Sequence, residues 1–275
     1  MKTNDSHAGS VPAHAWHRPV HAQDACAEME IRMAFALIFA GGVGTRMDSK
    51  DVPKQFLKVD GIPIIIRTIS HFEKHEQVDG IVVVCVEPWI GELQHELEEY
   101  GIRKVVKVLP GGRTGFQSIH TGLEYLKDIL TEEDVVLICD GVRPCLSPGL
   151  IGECIRNAGL YGSAVPVTPS IDSVLYSDDG KLCGRNISRK KIYITQAPQG
   201  YLMREIIRAH GEAIEKGMES VSSADLMIEL GREVHLFQGI RENIKVTTVE
   251  DLNALRATQY YEHFKDFANE ELNIK

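Results

Sequence analysis

Apolar residues in this chain fall into two alternating kinds of segment. Short unbroken runs stand at AFALIFA (34–40), GIVVVCV (80–86), KVVKVL (104–109) and DVVLICD (134–140), the length and texture of strands covered on both faces. Between them lie longer amphipathic stretches. IPIIIRTISHFEKH reads as one helix, and WIGELQHELEEYG as a second, ended by Gly101. In GFQSIHTGLEYLKDIL, Phe116, Ile119, Leu123, Leu126 and Leu130 recur every three or four positions and mark a helix face. Strand and helix in alternation predict an α/β fold, a Rossmann-like, mostly parallel sheet with right-handed crossovers. A helix near 148–160 and a strand at 163–167 continue the rhythm, which then breaks. Residues 171–199 read as a hairpin around Ser177-Asp178-Asp179-Gly180, a protruding β-arm over about 171–192. Helices are expected at 200–217 and 222–231, then a strand at 233–237, the segment NIKVTT (243–248) and a last helix from Val249. No internal repeat or low-complexity tract is present.

Residues 1–32 lack any hydrophobic period and hold four of the eleven histidines, His7, His14, His17 and His21. They are read as a disordered extension, with 33–275 as a single domain. The net charge of −9, with both signs interspersed, argues against a nucleic-acid partner. No apolar run reaches the roughly 20 residues of a membrane span. None of the six cysteines forms a C-x-x-C pair, and Cys85 and Cys139 end apolar runs, so reduced core thiols and a cytoplasmic location are expected.

Chemistry concentrates in FAGGVGTRMDSKDVPKQFL (39–57), directly after the first strand. Ligands of open α/β sheets sit beyond the carboxyl ends of strands. Gly41, Gly42 and Gly44 let backbone N–H groups approach an anion, Arg46 offers a two-pronged donor, and Lys54 a point charge. At about 4 Å and an effective dielectric of about 20, each such contact is worth about 4 kcal/mol before desolvation. A polyphosphate suits this loop. It is neither a P-loop, whose G-x-x-x-x-G-K-[ST] is absent, nor a dinucleotide fingerprint, since Met47 stands where the last glycine is needed.

AGGVGTRM, VPKQFL, CDGVRP and ENIKVTT, in this order from about Ala34 to Leu255, resemble the cytidylyltransferases that act on polyol phosphates. That family includes enzymes for 2-C-methyl-D-erythritol 4-phosphate and for D-ribitol 5-phosphate. The resemblance implies a nucleotidyltransferase-type fold and transfer of CMP from CTP to a polyol phosphate, giving a CDP-polyol and pyrophosphate. It implies Arg46, Lys54 and Lys245 as catalytic cations. Ala40, Gly41, Gly42, Gly44, Gly112, Ser118 and Asp140 would bind CTP, and Arg143, Asp172 and Arg189 the second substrate. Asp140 would ligate Mg²⁺, a hard ion that prefers oxygen, with Glu242 or Asn243 as candidates to complete the shell. An arm that closes a neighbour's site implies a homodimer.

The chain departs from the family pattern in places. Gly115 stands where an arginine is usual, and the arginine is Arg113; Gly141-Val142 replace two alanines before Arg143. Ser222-Ser223-Ala224-Asp225 lacks the acidic pair typical of the erythritol-phosphate enzymes, and Pro88-Trp89-Ile90 resembles the ribitol-phosphate branch. Ribitol 5-phosphate is therefore the first expectation and methylerythritol phosphate the second. More distant alternatives are another nucleotidyltransferase or a non-catalytic nucleotide-binding module.

Overall fold

The structure, a computed structural model, describes residues 33–41 and 52–258. Its first strands form where the apolar runs stand: β1 (Ala34–Ala40), then a small β2 (Lys58–Val59) and β3 (Ile62–Pro63) pair, β4 (Gly80–Cys85), β5 (Val105–Pro110) and β6 (Val135–Asp140). The helices between are α1 (Ile64–Glu73), α2 (Ile90–Glu99) and α3 (Gly115–Leu126). Then come α4 (Pro148–Tyr161), β7 (Ser163–Pro169), β8 (Leu175–Tyr176), β9 (Arg185–Asn186), β10 (Tyr193–Thr195), β11 (Gln199–Leu202), α5 (Met203–Glu215), α6 (Ser223–Glu229) and β12 (Leu236–Gln238). Residues 249–258 are helical.

The main sheet runs β10-β7-β11-β6-β1-β4-β5, with β12 also on β7. Its centre is parallel: β1 pairs with β4 and β6, and β4 with β5. The alternation of side chains across β1 divides the core. Ala36 and Ile38 face α1, α2 and α4, packing with Ile65, Ile69, Leu93 and Ile151. Phe35 and Leu37 face α3, α5 and α6, packing with Ile119, Leu123, Ile206 and Leu226. A third cluster, Val59, Ile64, Val142, Val246, Leu252 and Leu255, pins the segment before the last helix against the loop after β6.

Two expectations need correction. Residues 199–202 are not the start of a helix: they form β11, antiparallel between β6 and β7. A Cβ on Gly200 would lie 2.9 Å from the Cys154 sulfur and 3.0 Å from Ala158 Cβ, so this strand lies close against α4. Non-local pairing decides its conformation, and local pattern does not reveal it. The hairpin is also shorter than 171–199. Only β8 and β9 pair with each other, while β10 returns to the sheet beside β7. Ser177 and Asp179 shape the turn between β8 and β9, accepting N–H bonds from Gly180, Lys181 and Leu182. Residues 1–32 and 42–51 lie outside the described residues, so the reading of the N-terminal extension is not addressed by the structure. Among the described residues no helix is long and apolar enough to cross a membrane. Cys85 and Cys139 are buried, as expected of core thiols.

One core group carries a pH signature. His210 of α5 is 1% exposed and stacks on Phe116 at 4.6 Å, with His120 at 6.0 Å on a parallel plane. Neither of its ring nitrogens has a hydrogen-bond partner among the described residues. Burial, reinforced by His120, pushes its pKa down to about 3. The unfolded chain, with an ordinary histidine near 6.5, binds the extra proton first, so stability falls as pH drops from about 6.5 toward 3. His210→Phe is expected to flatten this acid limb. Between pH 7 and pH 4 the urea-derived unfolding free energy of the variant should fall by roughly 2–3 kcal/mol less than that of the parent. Parallel pH curves for the two proteins would contradict a neutral, unpartnered His210.

Candidate active site

The parallel register brings the strand ends level. Phe39 lies opposite Asp140, Ala40 opposite Cys85, and Cys85 opposite Pro110. The loops that follow β1, β5 and β6 therefore open on one edge of the sheet, as expected of an α/β ligand site.

Asp140 ends β6 and is 7% exposed. Its Oδ1 lies 2.6 Å from Lys245 Nζ, and its Oδ2 accepts from Arg143 Nε at 3.0 Å. Burial alone would raise the carboxyl pKa, but Arg143 and Lys245 outweigh it and hold Asp140 below the usual carboxylate range. Arg143, itself buried, donates from Nη1 to the Asn243 carbonyl at 3.1 Å. Asn243 Nδ2 donates to the Ala197 carbonyl at 2.6 Å, and Val246 N–H to the Val142 carbonyl at 2.9 Å. These bonds fix the segment 243–246 along the loop 140–143. Val246 points into the core, and Lys245, half exposed, reaches Asp140. Asp251 holds the next turn by accepting from the N–H groups of Thr247 and Thr248.

Lys54 opens a 3-10 turn, Lys54–Phe56. The glutamine of the Pro-Lys-Gln-Phe stretch explains how the turn is placed: Gln55, buried, donates from Nε2 to the Ala40 carbonyl at the end of β1, 2.8 Å away. Phe56 is buried against Trp89, ring centroids 4.7 Å apart. Trp89 thus props the turn that carries Lys54. Arg46, Gly42 and Gly44 lie outside the described residues.

Gly41 and Gly111 meet over the start of α3. A Cβ on Gly41 would come within 2.6 Å of Ser118 Oγ, and one on Gly111 within 3.2 Å of both Gly41 Cα and that hydroxyl. Close approach of the two loops is what requires glycine here. Ser118 is fully buried. Its Oγ accepts from Gly112 N–H at 3.1 Å and donates to the Thr114 carbonyl at 2.9 Å. Its hydroxyl shapes the loop from inside. Thr114 caps α3, accepting from Gln117 N–H, and Gln117 in turn accepts from Arg113 N–H.

A cavity of about 250 Å³ opens beside Asp140. Asp140, Arg143 and Lys245 form its charged side. Thr195, Gln196 and Gln199, from β10, β11 and their link, form another, and Ser222, Ser223 and Asp225 of the α6 start close it. The sequence alone places none of these last six in a site; it marks only Ser222 to Asp225, for lacking the acidic pair. Their signal is tertiary: residues from two separate segments, β10–β11 and the start of α6, become neighbours only in the folded chain. Asp172 and Arg189 lie exposed at the base of the arm, where Arg189 Nη1 donates to the Ile171 carbonyl at 3.1 Å. Neither lines the cavity.

Among the described residues no three His, Cys, Asp or Glu side chains gather as a metal cage. Mg²⁺ is usually held by one or two carboxylates together with substrate phosphates and water. Asp140, one of two carboxylates that line the cavity, fits an ion of that kind. Glu242 is exposed, and Asn243 spends its amide N–H on Ala197.

The family described as 2-C-methyl-D-erythritol 4-phosphate cytidylyltransferase (IspD) matches residues 34–261. A ribitol-5-phosphate cytidylyltransferase of Vibrio parahaemolyticus is 40% identical over 226 residues, 82% of this chain and 95% of that protein. A 2-C-methyl-D-erythritol 4-phosphate cytidylyltransferase of Chlorobium phaeobacteroides is 33% identical over 233 residues, 82% of this chain and 92% of that protein. Among solved structures, the 2-C-methyl-D-erythritol 4-phosphate cytidylyltransferase of Thermus thermophilus aligns with a TM-score of 0.64 at 29% identity, covering 82% of this chain and 98% of the other. The glycine loop, the Pro-Lys-Gln turn and the Asp140–Lys245 pair therefore sit in a chain that belongs to the IspD cytidylyltransferase family.

Proposed function

We propose that this protein is a CTP-dependent cytidylyltransferase whose second substrate is D-ribitol 5-phosphate. The observation that carries the reaction class is the Asp140–Arg143–Lys245 cluster at the strand ends, beside a cavity with a polar wall. Similarity to ribitol-5-phosphate cytidylyltransferases over 82% of the chain favours the polyol, and 2-C-methyl-D-erythritol 4-phosphate is the second reading.

The reaction follows from this placement. A phosphate oxygen of the polyol phosphate attacks the α-phosphorus of CTP in line. The bond from that phosphorus to the bridging oxygen breaks, and pyrophosphate leaves with the electron pair. The protein's part is to position both phosphates and offset charge. The loop after β1, with Arg46, and the turn bearing Lys54 receive the triphosphate. Gly41, Gly111 and Gly112 give the nucleoside a close backbone surface. Lys245, held in reach by Asp140 and the buried Val246, meets charge at the phosphate being attacked. Arg143, locked between Asp140 and Asn243, keeps this corner rigid. Mg²⁺, held by Asp140 and the substrate phosphates, supplies further charge neutralisation when bound. Asp172 and Arg189, away from the cavity of their own chain, serve the site of a second copy in a homodimer joined through the arm.

The direct test is pyrophosphate release from CTP and Mg²⁺, with ribitol 5-phosphate and 2-C-methyl-D-erythritol 4-phosphate in parallel. Ribitol 5-phosphate is expected to give the higher kcat/KM; a preference for the methylerythritol compound would shift the assignment to the second reading, and release with neither would remove it. Lys54→Ala and Lys245→Ala are each expected to lower kcat by about 10²–10³. Their circular dichroism spectra should match the parent's. Near-parental turnover in both would exclude these lysines from the chemistry.

A further inference from the structure

Residues 239–247 belong to neither helix nor strand, yet they carry Lys245. The last sheet bond before them runs from Gly239 N–H to the Val167 carbonyl of β7, at 2.8 Å. Backbone groups that leave the ladders need other partners. Gln196, in the link between β10 and β11, supplies them. Its Nε2 donates to the Ile240 carbonyl at 2.7 Å, and its Oε1 accepts from the Ile240 N–H at 3.2 Å. One side-chain amide thus engages both backbone groups of one residue. Gln196 is itself buried, and its own N–H donates to the Pro166 carbonyl of β7 at 2.8 Å, so the amide is presented from the sheet. Gly239 leaves room for it: a Cβ there would lie 2.3 Å from Gln196 Oε1.

The β10–β11 link grips the following turn at two points. The Ile240 carbonyl also accepts from Asn243 N–H at 3.3 Å, which closes the turn 240–243. Asn243 Nδ2 donates to the carbonyl of Ala197, the neighbour of Gln196. Consecutive residues of the link therefore hold the two ends of one turn. Lys245 follows two residues later, its Nζ 2.6 Å from Asp140 Oδ1. Lysine carries its charge on a flexible four-carbon stem, so its aim depends on where the backbone places that stem. Arg143 and Ala197 fix the downstream end of the turn at Asn243, and Gln196 fixes the upstream end at Ile240.

We infer that Gln196 is a positioning residue for the reaction, its amide fixing the backbone at Ile240 and so aiming the Lys245 ammonium at the phosphate. The inference rests on the cytidylyltransferase reading and adds to it a residue that acts through Lys245.

Gln196→Leu keeps much of the bulk and loses both bonds. Pyrophosphate release from CTP, Mg²⁺ and the preferred polyol phosphate is expected to show kcat lowered roughly ten- to a hundredfold, the scale of a misaligned catalytic group. Both KM values should stay within about threefold, because ground-state binding is not what the amide serves. A general structural defect would cost the same in any background. A loss that runs through Lys245 would not, so adding Gln196→Leu to the Lys245→Ala protein should cost less than about twofold. Gly239→Ala, whose methyl group displaces the Gln196 amide, tests the same contact from the other side and serves if the Leu variant does not fold. It should reproduce the loss of kcat. Parental kcat in Gln196→Leu and Gly239→Ala, or an equal fold-loss with and without Lys245, would overturn the assignment while leaving the reaction standing. A parent protein that releases no pyrophosphate with either polyol phosphate would remove the cytidylyltransferase reading, and the inference with it.

Discussion

A carboxylate buried at the end of a strand has to be paired, and Asp140 is paired twice. Arg143, three residues on, takes one oxygen, and Lys245, more than a hundred residues on, takes the other. Removing one partner from a buried ion pair typically costs several kcal/mol, because the remaining charge is left without solvent. The arrangement therefore ties two distant parts of the chain to one point. Arg143 extends the tie to the Asn243 carbonyl, Asn243 to Ala197, and Val246 to Val142. The wall formed by β10 and β11, the loop after β6 and the segment before the last helix converge there.

This constraint also explains why the site is asymmetric. On the side of β1 and β5, glycines let two loops lie within contact of each other, with Ser118 beneath them as an internal strut. On the side of β7 and β11, antiparallel pairing inserts strands that a purely parallel sheet would lack, and their polar residues face Asp140 across the cavity. One end thus offers close-packed backbone, and the other hydroxyls, amides and the Asp225 carboxylate.

Much of this was legible in the sequence, and the limits were physical. Continuous apolar runs marked β1, β4, β5 and β6 because strands covered on both faces have no polar side to show. The helix faces of α1 and α3 followed from their spacing. β11 escaped because four residues carry too little pattern, and its conformation comes from the two strands it lies between. Asp140 could be read from its place at the end of such a run. Lys245 could be read only through family resemblance, since a lysine in an extended segment has no local signal. Trp89, in the stretch that resembles the ribitol-phosphate branch, packs on Phe56 in the turn of Lys54, a contact the sequence does not show.

The buried Asp140–Arg143 pair orders the site, and a double-mutant cycle measures that dependence most directly. Asp140→Asn, Arg143→Gln and the double variant would be unfolded in urea at neutral pH beside the parent. Each single change is expected to destabilise the protein, and the double change by less than their sum, with a coupling of about 1–3 kcal/mol. Additive losses would mean that the two charges do not depend on each other, and the site would need another organising interaction.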